Sequence, residues 1–438
     1  MRVLSLFDGM ACGMLAMQSA GIPVDRYVAF EIDKYAVQTS SHNFPMIEHR
    51  GDVFQADFTE FSGFDFLVGG SPCTYWSIAQ KNNRETEASG MGWELFCQYV
   101  RALHEAKPMY FIYENNKSMS KAIRESITQT FGFEPICINS ALVSAQNRQR
   151  LYWVGKRNPD GTYSRVKVNQ PGDRGILLRD VLDSIPLRDK GNCLCGNRGG
   201  ACIGHDLEKS KHNYAAEMVA QPIRIGTYPN EAKNKEHDSQ QYRIYSTEGK
   251  GVTLCGNGGG MGAKTGLYAV PLKVGEIGNR GQGNRIYSVD GKSVSQTATI
   301  GGIGSNTGLY AIPVEFDGDK PIKAVSAADG KTYPVYEVKD GQITIKGKSY
   351  PIKLEDGYYI IRKLTVSECK RLHTVPEWYE FPVSDTQAYK MLGNGWTVLV
   401  ICHLILATQN DVVVSMQNDV MDCEQLNIFN MVEGGVFK

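Results

Sequence analysis

Cys73 follows the run Phe64-Asp65-Phe66-Leu67-Val68-Gly69-Gly70-Ser71-Pro72. The apolar residues read as a buried strand, and Gly69-Gly70 as the turn that ends it. A thiol there sits at the carboxyl end of a strand, where open α/β sheets carry their chemistry. A thiolate is a good nucleophile and a good leaving group, so covalent catalysis is the chemistry open to Cys73. A lone cysteine is more often an inert core residue, so its company decides the matter. Glu114 ends the run Phe111-Ile112-Tyr113 and falls on the same sheet edge, where it can hold or give a proton. Arg148 and Arg150, in Gln146-Asn147-Arg148-Gln149-Arg150, alternate on an extended segment and face one side together. Taken singly, Glu114 reads as a surface carboxylate and the arginines as a solvated edge.

A second constellation fits a nucleoside-bearing ligand. Phe7-Asp8-Gly9-Met10-Ala11-Cys12-Gly13 follows a strand and precedes a helix, and its glycines let backbone approach a ligand closely. Eighteen residues past Gly13, the next strand ends in Glu31-Ile32-Asp33. An acidic side chain there accepts hydrogen bonds from ribose hydroxyls. The loop alone fits NAD or FAD equally, although its spacing is not the GxGxxG of phosphate-binding turns. Asp52, in Gly51-Asp52-Val53, reads by itself as a turn carboxylate.

In this order, and with Gly393-Asn394-Gly395-Trp396-Thr397-Val398 near the far end, these segments resemble the motif series of the DNA (cytosine-5) methyltransferases. The likeness covers residues 1–155 and 361–405; the middle is matched only loosely. It implies the α/β class I fold of S-adenosylmethionine-dependent methyltransferases, a Rossmann-like, mostly parallel doubly wound sheet, with a second, mostly β target-recognition domain. S-adenosylmethionine is the implied cofactor. Its implied contacts are Phe7, Asp8, Gly9, Gly13, Glu31, Ile32, Asp52, Val53, Pro72, Asn394, Trp396 and Val398. Phe7 would lie against the adenine, Glu31 on the ribose and Asp52 at the adenine amino group. Cys73, Glu114, Arg148 and Arg150 are the implied catalytic residues: the thiolate adds to C6 of cytosine and Glu114 shares a proton with N3. One arginine would reach the base O2 and the other brace the cysteine loop. A base in a duplex must be flipped out for this chemistry. Double-stranded DNA is therefore the implied partner, with Ser77, Gln146, Arg243 and Arg285 as expected contacts. Two positions depart from the pattern. Ser71 replaces the first proline of the usual Pro-Pro-Cys, and Asn116 replaces the valine of Glu-Asn-Val, a position expected to pack rather than react.

The elements that must position these groups are legible in outline. Strands are expected at 3–7, 28–32, 64–68, 109–113, 136–142 and 151–155, and helices at 14–20, 34–43, 93–106 and 119–130. The expected domains are a catalytic 1–160, a target-recognition 161–360, a return to the catalytic domain at 361–409 and a tail, 410–438, of no assigned role. The middle holds a repeat. Arg243-Ile244-Tyr245-Ser246 recurs as Arg285-Ile286-Tyr287-Ser288, and Thr265-Gly266-Leu267-Tyr268-Ala269 as Thr307-Gly308-Leu309-Tyr310-Ala311, both offset by 42 residues. The copies read equally as two recognition units or as scaffold hairpins. Asp-Gly pairs at 317, 329, 340 and 356 signal further hairpins.

A chain of 438 residues exceeds one ordinary core. Lys+Arg and Asp+Glu are both 47, so net charge neither suggests nor excludes a polyanion partner. No apolar run reads as a membrane span or signal peptide. Eleven cysteines without such a signal suggest reduced thiols and a cytoplasmic setting, and the resemblance implies a bacterial or phage-infected cell. Cys193, Cys195, Cys202 and His205 have poor spacing for zinc and are read as ordinary loop residues, so no metal is expected. The rivals to a DNA enzyme are a tRNA cytosine-5 methyltransferase and a catalytically silent DNA-binding homologue. The first has a small target domain, and loss of Cys73 or Glu114 would mark the second. A monomer, with a role in restriction–modification or phage DNA protection beside a companion endonuclease, completes the expectation.

Overall fold

The computed structural model describes residues 1–77 and 84–183, and thereafter 224–227, 243–245, 267–268, 273–277, 282–296, 307–314, 324–326 and 332–413. The chain forms two compact units: Met1–Asp173 with Ser295–Ile300 and Thr365–Lys438, and Arg174–Val294 with Gly301–Leu364.

The first unit is built on one sheet. Its strands are β1 (Arg2–Leu6), β2 (Arg26–Phe30), β3 (Glu48–His49), β4 (Phe66–Gly69), β5 (Tyr110–Asn116), β6 (Ile136–Asn139), β7 (Gln149–Arg157) and β8 (Tyr163–Arg165). The order is β3-β2-β1-β4-β5-β7-β6, with β8 on β7. The strands from β3 to β5 are parallel, and β7 runs antiparallel to β5, β6 and β8. Both faces are covered, which is why β1, β2 and β4 read as nearly unbroken apolar runs. The helices are α1 (Cys12–Ser19), α2 (Lys34–Asn43), α3 (Gly90–Ala106), α4 (Lys121–Phe131), α5 (Val366–Leu372), α6 (Asp385–Asn394) and α7 (Val398–Val413). The mostly parallel, doubly wound expectation therefore holds.

Close approach fixes α3 on the sheet. The Tyr99 hydroxyl lies 3.2 Å from the Leu67 carbonyl of β4 and 3.0 Å from the Ile112 carbonyl of β5. A Cβ on Gly69 would stand 3.1 Å from that ring and 2.6 Å from the Leu6 carbonyl oxygen, so only glycine fits. An aromatic cluster of Phe96, Tyr99, Phe111, Tyr113, Phe131 and Trp153 fills the core under the reacting edge. The stretch Asp385–Gln409, which runs through α6 and α7, is by length and composition sufficient to cross a membrane, but 61% of its apolar window is buried inside the protein, as in core helices.

The second unit holds β9 (Arg224–Thr227), β10 (Arg243–Tyr245), β11 (Leu267–Tyr268), β12 (Lys273–Glu276), β13 (Arg285–Ser288), β14 (Leu309–Pro313), β15 (Ala324–Ser326), β16 (Thr332–Lys339), β17 (Gln342–Ile345), β18 (Lys348–Pro351) and β19 (Gly357–Arg362). It is mostly β, as expected. The 42-residue repeat is structural. In the first copy β10 is antiparallel to β9 and parallel to β11, with Ile244 opposite Leu267. In the second, β13 is antiparallel to β12 and parallel to β14, with Ile286 opposite Leu309. Each copy is thus a three-stranded unit with a crossover rather than a simple hairpin. Asp340-Gly341 forms the expected tight turn with both φ positive, and Lys346-Gly347 forms another. Asp317-Gly318, Asp329-Gly330, the Cys193–His205 group and residues 414–438 lie outside the described residues.

Gly155 of β7 packs flat on Phe111: a Cβ there would come within 2.2 Å of the ring. Gly155→Ala should cost about 1–3 kcal/mol of stability by overpacking, read from denaturant unfolding.

Candidate active site

Two registers bring the reacting groups together. Parallel pairing sets Gly69 opposite Tyr113, so the turn leaving β4 passes beside Glu114. A Cβ on Gly70 would lie 2.6 Å from the Glu114 carbonyl oxygen and 2.9 Å from its Oε2; the missing side chain leaves room for that carboxylate. Antiparallel pairing sets Glu114 opposite Tyr152, which places Arg150 two residues away on the same face. Arg150 Nε lies 3.1 Å from Glu114 Oε1, and both side chains are largely buried. The Trp396 indole N–H donates to Glu114 Oε2 at 2.9 Å. Both oxygens are thus engaged by donors, which holds the group in one orientation.

Cys73 opens a short 3-10 turn, Cys73–Tyr75, behind Pro72. It is half-buried, and Pro72 is exposed. The Cys73 carbonyl accepts from the Trp76 and Ser77 amides at 3.1 and 2.9 Å. Trp76 is fully buried, and its indole donates to Glu85 at 3.0 Å. Glu85 also accepts from the Gly92 amide in the first turn of α3, where a carboxylate is favoured.

Arg148 is 3% exposed. Its guanidinium donates to the carbonyls of Gln296, Gly393 and Gly395 at 3.1, 3.1 and 2.9 Å. Burial and the nearby Arg150 lower its pKa, while Glu114 and Cys73 act the other way. Gln146 is fully buried, with its amide nitrogen 3.5 Å from His373 Nε2. It presents nothing to a duplex in this arrangement, unlike the expectation. Arg285 is exposed on β13; Arg243 lies in β10; Ser77 is half-buried beside the cysteine turn.

The glycine-rich loop is tightly built. Phe7, Gly9 and Ala11 all have positive φ, near 58–59°. For Phe7 and Ala11 this is a strained conformation that the surroundings must hold. The Gly9 amide donates to Glu31 Oε2 at 2.8 Å, and the Ile32 and Asp33 amides donate to Oε1 at the same distance. Glu31 keeps lone pairs for further donors. Asp8 is buried, and its Oδ1 accepts from Ser5 and Tyr27 at 2.6 and 2.7 Å. A Cβ on Gly13 would stand 2.6 Å from the Tyr27 hydroxyl, so glycine is needed for that bond. Asp52 caps the turn Val53–Gln55 through the Phe54 amide, and Val53 is buried. Ile32 is 77% exposed and Phe54 44%. The side facing a Cβ on Gly9 is open space. Exposed apolar faces beside Glu31 and Asp52, with room over Gly9, fit a purine nucleoside. Trp396 and Val398 flank the buried Thr397, and Val398 is itself buried at the start of α7; Asn394 is exposed.

Sequence reasoning missed how Trp396 joins the two halves. Its carbonyl takes the Cys12 thiol at 3.8 Å and His373 Nδ1 at 3.3 Å, while its indole holds Glu114. His373 carried no signal beyond being a buried histidine.

The family model for C-5 cytosine-specific DNA methylases matches residues 1–410. The chain belongs to that family. Curated relatives of this chain include the orphan methyltransferase M.Rho11sI of Bacillus phage rho11s, 27% identical over 64% of this chain and 63% of that protein. The orphan methyltransferase M.SPRI of Bacillus phage SPR is 33% identical over 41% of this chain and 45% of that protein. The type II methyltransferase M.HhaI of Haemophilus parahaemolyticus is 25% identical over 63% of this chain and 80% of that protein. The chain thus spans less than two thirds of the two phage relatives' length.

Two outcomes test this geometry. Burial pushes Asp8 up to about 6 from its usual 3.8. Its contribution to stability is therefore complete below ~4 and lost as pH rises through 6. Between pH 4 and 7 the wild type should lose roughly 2 kcal/mol relative to Asp8→Asn in urea unfolding, and a constant difference would show that no such shift exists. Gly70→Ala should displace the Glu114 carboxylate and lower turnover about a hundredfold, measured as single-turnover methyl transfer with cofactor affinity unchanged.

Proposed function

We propose that this methylase transfers a methyl group to C5 of a flipped cytosine in double-stranded DNA. The observation that carries the reading is the sheet edge itself: a half-buried thiol on the turn after β4, and on the neighbouring β5 a carboxylate that Arg150 and Trp396 hold in place. Family membership supports S-adenosylmethionine as the cofactor, with Phe7, Asp8, Gly9, Gly13, Glu31, Ile32, Asp52, Val53, Pro72, Asn394, Trp396 and Val398 as its surroundings. When bound, it supplies the electrophilic methyl group that C5 accepts.

The chain's residues prepare the cytosine ring and release it. The Cys73 thiolate forms a bond to C6, and the electron pair of the C5–C6 double bond moves toward C5. Glu114 shares a proton with N3 as the ring gains electrons and accepts from the exocyclic amine, which thymine lacks. After C5 has its methyl group, a base takes the C5 proton and the C6–S bond breaks, returning the thiolate. Arg150 holds Glu114, and Arg148 holds the Gly393–Gly395 turn that carries Trp396 into position. Ser77 beside the cysteine turn and Arg285 on the exposed side of β13 are proposed DNA contacts, as is Arg243 from the equivalent repeat strand. The relatives' names favour phage DNA protection or restriction–modification, with or without a companion endonuclease, and a cytoplasmic site of action.

Bisulfite sequencing tests the reading, using DNA from cells free of other cytosine methylation that express the wild type or Cys73→Ala. Protected cytosines within one short motif, absent with the variant, are expected. Complete conversion with soluble wild-type protein would overturn the assignment to DNA.

A further inference from the structure

Ser71 and Asn116, the two departures from the family pattern, meet at the cysteine turn. Both are nearly fully buried. The Ser71 and Tyr113 hydroxyls are hydrogen-bonded at 2.7 Å. The Asn115 amide nitrogen donates to the Ser71 carbonyl at 3.1 Å and lies 3.3 Å from the Tyr113 hydroxyl. Asn116 Nδ2 donates to the Cys73 carbonyl at 3.4 Å. The orientation of this amide is set from its other end, because the Ser118 hydroxyl donates to Asn116 Oδ1 at 2.9 Å. Arg84 extends the lattice, donating to the Ser118 carbonyl at 2.6 Å and the Trp76 carbonyl at 3.1 Å.

A proline at position 71 would fix φ and remove a donor; serine frees the chain there. A valine at 116 would offer only packing. Burying polar side chains instead is costly unless they are paired, and both are paired across the β4–β5 gap to the turn that carries the thiol. We infer that Asn116 and the Ser71–Tyr113 pair are positioning residues for Cys73, fixing the turn by hydrogen bonds where the family pattern uses a ring and an apolar side chain. All three are buried, and each acts through the turn of residues 71–73. The inference rests on Cys73 being the nucleophile.

The test uses the full chain with Tyr113→Phe, Asn116→Asp and Asn116→Val. Tyr113→Phe removes one hydroxyl. Asn116→Asp keeps the shape and removes the donor, and Asn116→Val guards against misfolding caused by a buried charge. Two quantities are read: single-turnover methyl transfer to cytosine-containing duplex, and iodoacetamide alkylation of Cys73 resolved by peptide mass, with the exposed Cys97 as internal reference. The expected result is an about tenfold fall in the methyl-transfer rate at unchanged KM for S-adenosylmethionine and DNA. Cys73 alkylation should change while that of Cys97 does not. Wild-type rates of both transfer and alkylation in Tyr113→Phe and Asn116→Val would overturn the inference, as would a KM effect alone. If the wild type transfers no methyl group, the function proposed above fails, and the alkylation arm still decides whether the lattice sets the thiol.

Discussion

The antiparallel register of β5 against β7 is the constraint on which the site depends. Glu114 stands opposite Tyr152, so Arg150 falls diagonally on the same face and reaches the carboxylate. A slip of one residue would send Arg150 to the other face and leave Glu114 with only the Trp396 indole. The parallel register on the other side is equally strict, since Gly70 must pass Glu114 without a side chain. The turn that carries the thiol and the carboxylate share one sheet edge because two different kinds of pairing flank one strand.

Buried charge gives the site its second constraint. An unpaired guanidinium in the interior is very costly. Arg148 is tolerated because three main-chain carbonyls accept its N–H groups and because Glu114 lies close enough to favour its charge. The same contacts hold the Gly393–Gly395 turn. Its charge therefore serves as a support for Trp396 as much as an influence on the reacting groups. His373 beneath is kept neutral by burial and by this cation, which suits a ring that stands between Gln146 and the Trp396 carbonyl.

Much of the first unit was legible because its strands are buried on both faces and some of its helices carry ordinary caps. Asp33 at the start of α2 and Ser120 at the start of α4 both bind amides of the first turn, as such residues do. The motif residues of the site lay in the sequence, but their partners did not. Nothing local shows that Trp396 bonds Glu114 across 282 residues. Gln146 was expected to touch DNA from the motif resemblance, yet the segment before β7 turns it inward toward His373. Asn116 was expected to pack because it takes the valine position of the family's Glu-Asn-Val, and nothing in the sequence shows the Cys73 carbonyl that its amide reaches. The repeat was visible as words, whereas its parallel pairing required the third strand to be placed.

Trp396 ties the two ends of the reaction together. Its main chain anchors the glycine-rich loop through Cys12, and its side chain anchors the Glu114 carboxylate. Further bonds join the same regions: Tyr379 donates to the Met10 carbonyl at 2.6 Å, and Lys390 pairs with Asp33 at 2.7 Å. Loop and carboxylate therefore share one support rather than two. A ligand that shifts the loop must either leave Trp396 in place or carry Glu114 with it. Because packed interiors deform little, the first is the cheaper response, and the reacting groups stay aligned whether the loop is filled or not.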